Sequence, residues 1–458
     1  MICRSLKQIA DMIKIENDLT PFENVMVHGV SIDSRKIESD QLFIPFKGEH
    51  SDGHRFVEDA ISKGAAAAFW QKDVPNPPTH LPILIVEDCL TALQELSRSY
   101  RNELHTKVVG ITGSNGKTST KDMTASLLSL KYKVQKTEGN FNNHIGLPLT
   151  ILRLDEDTDI AVLEMGMSGK GEIDFLTKLA KPNAVIITNI GEAHLLDLGS
   201  REGIAEAKLE ILNGLQENGR VIYFGDETLL SERINRNGKI EIKTFGNNHS
   251  NDLFPTHINQ SSSGSQFKIN ASNAEYFLPV LGTHNVLNAL GAMLVAQYFD
   301  ISFDEMKNGL NNLKLTGMRM ELVEGINGVK IINDAYNASP TSMKAAIDLV
   351  SNLPDYEHKL LVLGDMLELG PDEEQFHEQI GQLINQEKIS YVFTFGKLGS
   401  FIAKGAKAVF PSERVFAFTE KQELIDKVKK YCQSDMIILV KGSRGMKLEE
   451  VVASLKEN

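Results

Sequence analysis

The chain has 458 residues, 41% hydrophobic and 24% charged. At roughly 150 residues per domain it has the length of about three domains, and its composition excludes global disorder. Its net charge of −13, from 61 acidic and 48 basic residues, argues against general nucleic-acid binding, which needs clustered cations; small anionic ligands respond to local charge and stay open. No apolar run approaches the roughly 18 residues of a membrane span. The first thirteen residues carry Arg4, Lys7 and Asp11 without a continuous apolar stretch, so no signal peptide is expected there. Cys3, Cys89 and Cys432 lie far apart in no metal-ligand spacing. Neither a disulfide framework nor a zinc site is expected, and a reducing cytoplasmic setting fits.

In chain order, residues 1–106 mix short strands and helices, with apolar pieces at 41–46, 64–70 and 83–86 and a rigid Pro75-Asn76-Pro77-Pro78 loop. Residues 107–316 open with the buried-strand run Lys107-Val108-Val109-Gly110-Ile111-Thr112, and similar runs follow at 160–164 and 184–190. The alternation of strand and helix patterns predicts a parallel sheet covered by helices. The Ser-rich patch 261–265 reads as a surface loop. Beyond Thr316-Gly317 the alternation resumes, with strands expected near 329–333, 359–364, 391–396 and 436–441. The expected fold is therefore α/β in three domains: a small N-terminal α/β cap (1–106), a central parallel-sheet nucleotide domain (107–316) and a C-terminal Rossmann-like domain (317–458).

The sharpest motif is Thr112-Gly113-Ser114-Asn115-Gly116-Lys117-Thr118-Ser119, placed after a predicted strand and before a helix-compatible run at 120–130. That is the setting of a phosphate loop, in which backbone N–H groups and a helix N-terminus cradle phosphate oxygens. Lys117 would bridge the outer phosphates of ATP or GTP, and the Thr118 hydroxyl would reach Mg²⁺. Ile111 stands where the strict pattern has its first glycine; the bland alternative is a tight strand–helix turn.

Glu164 ends the run Ile160-Ala161-Val162-Leu163-Glu164. A carboxylate at the C-terminal end of a parallel strand borders the ligand crevice and suits Mg²⁺. His194 follows the next strand in Asn189-Ile190-Gly191-Glu192-Ala193-His194, in the equivalent position. Lys208 is more unusual: Ile204, Ala205, Leu209, Ile211, Leu212 and Leu215 form one helical stripe, and Lys208 falls near its middle. Such a lysine snorkels or has an altered charge. With an amine pKa near 10.4 only ~0.04% is neutral at pH 7, and lowering it by ~3 units makes roughly a quarter neutral and nucleophilic.

These residues together resemble the Mur ligase family, the ATP-dependent amide-forming enzymes of bacterial cell-wall precursor synthesis. The resemblance spans the chain through the phosphate loop, Thr137-Glu138-Gly139-Asn140-Phe141-Asn142-Asn143-His144-Ile145-Gly146, Glu164-Met165-Gly166, Ala207-Lys208-Leu209-Glu210 and Gly282-Thr283-His284-Asn285-Val286-Leu287-Asn288. The shortened glycine spacing is the family's own form. The runs Asp334-Ala335-Tyr336-Asn337-Ala338-Ser339-Pro340-Thr341-Ser342-Met343, Leu363-Gly364-Asp365-Met366-Leu367-Glu368-Leu369-Gly370 and Lys441-Gly442-Ser443-Arg444 are most similar to the branch that adds D-alanyl-D-alanine to UDP-N-acetylmuramoyl-tripeptide. The Asn337-Ala338-Ser339-Pro340 run departs slightly from relatives, which more often carry Asn at its third position. The Asp-Asn-Pro-Arg run typical of the diaminopimelate-adding branch is absent.

The resemblance implies ATP and two Mg²⁺ as cofactors, with Gly113, Ser114, Asn115, Gly116, Lys117, Thr118 and Ser119 around the phosphates. It implies that Thr118, Glu164 and His194 complete the metal sites, and that Lys208 takes up CO₂ as a carbamate supporting the second metal. Asn285 and Asn288 would lie on the adenine side, Asp334 at the ribose, and Arg319 would meet the phosphates only when the C-terminal domain closes. Ser34, Arg35 and Lys47 would take the uridine-diphosphate end, and Asn140 and Asn143 would line the muramoyl-peptide channel. A cytoplasmic monomer is the simplest expectation. The alternatives are the diaminopimelate- or lysine-adding ligase, folylpolyglutamate synthase or, in a different class, a non-synthetic phosphate-loop nucleotide switch.

Overall fold

Runs of consecutive apolar residues become strands covered on both faces. In the computed structural model, which describes residues 1–48, 51–234 and 240–456, the strand Ile160–Glu164 is buried along its whole length, as a parallel sheet between helix layers requires. It belongs to a six-stranded parallel sheet in the order Glu241–Phe245, Arg220–Phe224, Ala184–Ile187, Lys107–Thr112, Ile160–Glu164 and Val134–Lys136. Lys107–Thr112 is first in chain order yet central in space, so the chain passes to one side of it and then to the other. Such a switch point opens a crevice at the carboxyl ends of the strands.

The N-terminal portion carries a four-stranded parallel sheet, Val30–Ser31, Leu42–Phe43, Ala67–Gln71 and Ile83–Val86, and an antiparallel pair of Cys3–Ser5 with Met26–His28. Its helix Cys89–Glu103 is capped by Asp88, whose carboxylate accepts from Thr91 N–H at 2.7 Å. Tyr100 Oη then donates to Leu154 O at 2.8 Å, and the apolar core runs on without a break into the helices beside the central sheet.

Residues after 317 form a second six-stranded sheet, in the order Glu321–Glu324, Lys330–Asp334, Met436–Lys441, His358–Gly364, Tyr391–Phe395 and Val415–Phe418. It differs from the expectation at one edge: Glu321–Glu324 pairs antiparallel with Lys330–Asp334. The turn between them holds Asn327 at φ 56°, and a connection that short permits only an antiparallel return. The helix Pro340–Asn352 starts with a capping box at Ser339 and Ser342 and proline in its first turn.

The Ser-rich patch is a hairpin tip: Ser262 and Ser263 form the surface turn, while Ser261 and Gly264-Ser265 on either side belong to strands. Residues 255–278 form a three-stranded antiparallel sheet, Pro255–Ser261, Gly264–Ile269 and Ser272–Leu278. Ser265 is fully buried, and Phe267, Ile269, Tyr276 and Leu278 join the core that the central sheet shares with the C-terminal portion. No helix among the described residues is long and apolar enough to cross a membrane.

Candidate functional site

The strand Lys107–Thr112 leads into the loop 113–116 and then the helix Lys117–Leu128. Two glycines make the loop possible. Gly113 has φ 147°, and a Cβ there would stand 1.8 Å from Thr188 Oγ1; Gly116 has φ 80°, and a Cβ would stand 2.7 Å from Asn288 Oδ1. The loop is pinned from the neighbouring strand end: Thr188 Oγ1 donates to Asn115 O at 2.6 Å, and Asn189 Oδ1 accepts from Asn115 N–H at 2.9 Å. The helix starts at Lys117, earlier than the expected 120, so its free N–H groups face the loop.

Around this loop lies a cleft of about 710 Å³, lined by residues 114–119, Asn140, Asn143, Glu164, His194, Asn285, Asn288, Arg319 and Asp334. It therefore gathers most of the residues singled out from sequence, drawn from both the central and the C-terminal portions. Gly113 shapes the loop from behind. Lys208 does not line the cleft; it is 1% exposed beneath it. Ser34, Arg35 and Lys47 lie outside it, in the N-terminal portion. Ser34 is buried in a 3₁₀ turn, Arg35 is bound through Nε and Nη2 to Asp33 at 2.8 Å each, and Lys47 Nζ pairs with Asp73 at 2.6 Å.

Within the cleft, Thr118 Oγ1 donates to Glu164 Oε2 at 2.7 Å, and Asn142 Nδ2 donates to Glu164 Oε1 at 2.8 Å. Glu164 is 3% exposed, with Oε2 turned to the helix start after the loop and Oε1 to Asn142. Lys117 Nζ donates to Gly113 O at 2.7 Å. Burial holds its amine below the ordinary value; the Glu164 carboxylate opposes the shift and the Arg319 cation adds to it. Lys208 is held far lower by burial, and then by the Lys117 cation. No hydrogen-bond or ion-pair partner meets its amine among the described residues. Its helix ends at Leu209 and tightens into a 3₁₀ turn, which leaves the lysine inside the core rather than snorkelling.

His194 sits in the left-handed region at φ 66°, as does Glu368 at φ 65°. Its Nδ1 lies 2.9 Å from Glu368 Oε2 but without hydrogen-bond alignment, so that nitrogen stays unsatisfied. Burial, then the Lys117 charge, lowers its pKa below the ordinary imidazole value. Three unsatisfied buried nitrogens thus border the cleft: His194 Nδ1, Asn115 Nδ2 and Arg319 Nε. Buried polar atoms without a protein partner are uncommon in native interiors, and these three face a shared cavity.

Asn285 and Asn288 hold each other (Nδ2 to Oδ1, 3.2 Å) under Gly116. Asp334 pairs with Lys441, which also donates to Asn337 O at 3.1 Å. Arg319 stacks with its guanidinium carbon 4.1 Å from the Tyr336 ring centre and shares the cleft with Lys117, so the C-terminal portion is already against the loop. Ser339 Oγ donates to Asn115 Oδ1 at 3.2 Å, and Thr341 Oγ1 donates to Glu192 Oε2 at 2.6 Å across the same seam.

Sequence reasoning did not select Asn142, Glu368, Tyr336 or Lys441 as site residues. Asn142 carried a usable signal, since it sits within the same Asn-rich run as Asn140 and Asn143. Tyr336 lies two residues after Asp334 in the same run, whereas Glu368 and Lys441, though within runs that carry the resemblance, meet their partners only through the pairing of distant strands and loops.

Comparison with known proteins places this geometry. Residues 26–101 match the Mur ligase family catalytic domain, 111–296 the Mur ligase middle domain, and 318–444 the Mur ligase glutamate ligase domain. The chain is 54% identical over 458 residues to the UDP-N-acetylmuramoyl-tripeptide–D-alanyl-D-alanine ligase of Bacillus subtilis (strain 168), covering 100% of this chain and 99% of that one. A crystal structure of MurF from Acinetobacter baumannii superposes with TM-score 0.89 at 28% identity over 99% of both chains. MurF ligase from Thermotoga maritima in complex with ADP superposes with TM-score 0.82 at 27% identity, over 96% of this chain and 98% of that one.

Proposed function

The chain belongs to the Mur ligase family, and on that premise we propose that it joins D-alanyl-D-alanine to UDP-N-acetylmuramoyl-tripeptide at the expense of ATP. It is an ATP-dependent ligase forming a C–N bond, and the product is the pentapeptide precursor of peptidoglycan, made in the last cytoplasmic step. The observation that carries this reading is the single cleft in which Lys117, Thr118 and Glu164 of the central unit face Arg319 and Asp334 of the C-terminal unit.

The tripeptide carboxylate attacks the γ-phosphorus of ATP, giving an acyl phosphate and ADP; the dipeptide amine then attacks that carbonyl and phosphate leaves. Two anions meet in the first step, so the site must supply positive charge. Lys117 swings from Gly113 O toward the phosphates and Arg319 approaches from the opposite wall. Asn142 holds the Glu164 carboxylate in place, and Asn285 and Asn288 brace the loop from below. Asp334 exchanges Lys441 for the ribose hydroxyls. Water hydrolyses acyl phosphates, and the seam made by Ser339, Thr341 and Glu368 against the central unit excludes it.

Two Mg²⁺ are the proposed metals. The Thr118 hydroxyl and Glu164 carboxylate are hard oxygen donors that suit one, and His194, with its unsatisfied Nδ1, would take part at the other. Lys208 supports a carbamate: its amine meets no acceptor among the described residues, and the charge acting on it is the Lys117 cation. Addition of CO₂ to the neutral amine with loss of a proton turns that repulsion into attraction. Bound Mg²⁺ would screen the meeting anions, the carbamate lending it an oxygen ligand.

The three proposed units keep distinct tasks: 1–106 takes the UDP end through Ser34, Arg35 and Lys47, 107–316 takes ATP with Asn140 and Asn143 toward the muramoyl-peptide, and 317–458 brings ribose contacts and the dipeptide. A cytoplasmic monomer is proposed with them, without nucleic-acid partners. The test is the product mass from the diaminopimelate and lysine tripeptides with an amine panel. A pentapeptide from D-alanyl-D-alanine alone is expected; diaminopimelate, lysine or glutamate as the accepted amine would move the chain to another branch.

A further inference from the structure

The connector between the central and C-terminal units is fixed at a point that the reaction described above does not use. Asp122 lies farther along the helix that Lys117 opens and is 2% exposed. Its Oδ2 accepts from both Thr316 N–H and Thr316 Oγ1, each at 2.8 Å. Its Oδ1 accepts from Lys136 Nζ at 2.6 Å and lies 3.3 Å from Lys121 Nζ. Burial pushes this carboxyl up, but the Lys121 and Lys136 cations and the Thr316 N–H outweigh it and hold it below the ordinary carboxylate value.

Thr316 is where the chain leaves the central unit. Within the next four residues Met318 and Met320 both take left-handed backbone, φ 62° and φ 53°, an uncommon conformation for residues that carry a Cβ. Each is tethered: Met318 N–H donates to Glu321 Oε2 at 3.0 Å, and Met320 N–H donates to Asp334 Oδ1 at 3.2 Å. Arg319 lies between them. Beside the clamp lies a cavity of about 570 Å³, bordered by Asp122, Asn312 and Lys314. The Asp122 hydrogen bonds tie Thr316 to the helix Lys117–Leu128.

We infer that Asp122 is a positioning residue: by clamping Thr316 to the phosphate-loop helix it sets where Arg319 enters the ATP cleft. A carboxylate present only to neutralise Lys121 and Lys136 needs one oxygen, and Oδ1 serves both. Oδ2 is given wholly to the connector. The inference rests on the ligase reading above, because Arg319 matters there through the phosphates.

The experiment is a mutant cycle on the full-length enzyme. Asp122→Asn keeps the volume and replaces one acceptor oxygen by a donor. It should lower kcat roughly ten- to a hundredfold while KM for ATP and for the UDP-tripeptide stays within about twofold. Thr316→Val, which keeps the N–H and loses the hydroxyl, should cost a few-fold by the same route. In an Arg319→Lys background both losses should shrink, since the residue being positioned has gone. Wild-type kcat in both single variants, or losses that multiply fully with Arg319→Lys, overturns the inference. Should Asp122→Asn fail to fold, Thr316→Val with and without Arg319→Lys decides alone. A wild-type enzyme that makes no amide overturns the ligase reading and this inference with it; an active wild type beside unaffected variants overturns only this inference.

Discussion

The cleft of the central and C-terminal units and the cationic turns of the N-terminal unit carry the same kinds of side chain under opposite conditions. In the cleft, Lys117, Glu164 and Arg319 line a common cavity, Glu164 is buried, and Lys208 lies sealed beneath them. In the N-terminal unit, Arg35 is largely exposed and paired with its near neighbour Asp33, whose carboxyl it holds down at about 2, while Lys47 is paired with Asp73. Buried charges act at low effective dielectric and tolerate no loss of partner; exposed pairs are screened and replaceable. Substitutions in the cleft should therefore remove chemistry, and those in the N-terminal turns should remove only affinity.

The largest effect is expected at Lys117. Lys117→Ala should lower kcat about a thousandfold with the fold intact, read by amide formation and by circular dichroism. Activity within tenfold of wild type would break the contrast at its strongest point.

Lys208→Ala comes next, with a loss of at least about a hundredfold in kcat and partial rescue by a short carboxylate. Stability should move the other way. Burial holds the folded amine well below its ordinary pKa, so between the two values the unfolded chain binds more protons than the folded one. Without bicarbonate, stability then rises with pH through that window and is penalised below it. Lys208→Met should accordingly raise the unfolding free energy at neutral pH by roughly 1 kcal/mol or more, as read by urea titration. Unchanged turnover in Lys208→Ala would remove the carbamate from the scheme.

Arg319→Lys keeps the charge but loses the planar stack on Tyr336 and the fixed fork. A loss of about ten- to a hundredfold in kcat is expected, with the KM of the UDP-tripeptide unmoved. The smallest effects belong to the N-terminal turns: Arg35→Ala and Lys47→Ala should each raise that KM by about tenfold or less, the worth of one charge-assisted contact, with kcat unchanged. A kcat defect there would show that the two regions are coupled.

What was legible in the sequence follows the same division. The strand–loop–helix turn at 113–116 could be read because its backbone geometry needs Gly113 and Gly116 at fixed places. Lys208 could be read because helical periodicity placed a cation in an apolar stripe, and the structure buries it there. The parallel strands at 107–112, 160–164 and 436–441 were legible as unbroken apolar runs. The hairpin sheet at 255–278 was not, because its serines masked an alternation in which Phe267, Ile269, Tyr276 and Leu278 turn inward. The contacts of Lys441 and Glu368 stayed hidden for another reason, although both residues lie in runs that carry the resemblance. Each meets its partner, Asp334 or His194, across more than a hundred residues of chain, and no local pattern encodes such a meeting.

The measurement that tests the whole scheme most directly is phosphate release from MgATP by the wild-type enzyme, with the UDP-tripeptide and D-alanyl-D-alanine omitted in turn. A cleft that activates a carboxylate and then admits an amine predicts sustained release only when both are present, in step with amide product. Sustained release with neither present would contradict it and leave a nucleotide-hydrolysing switch.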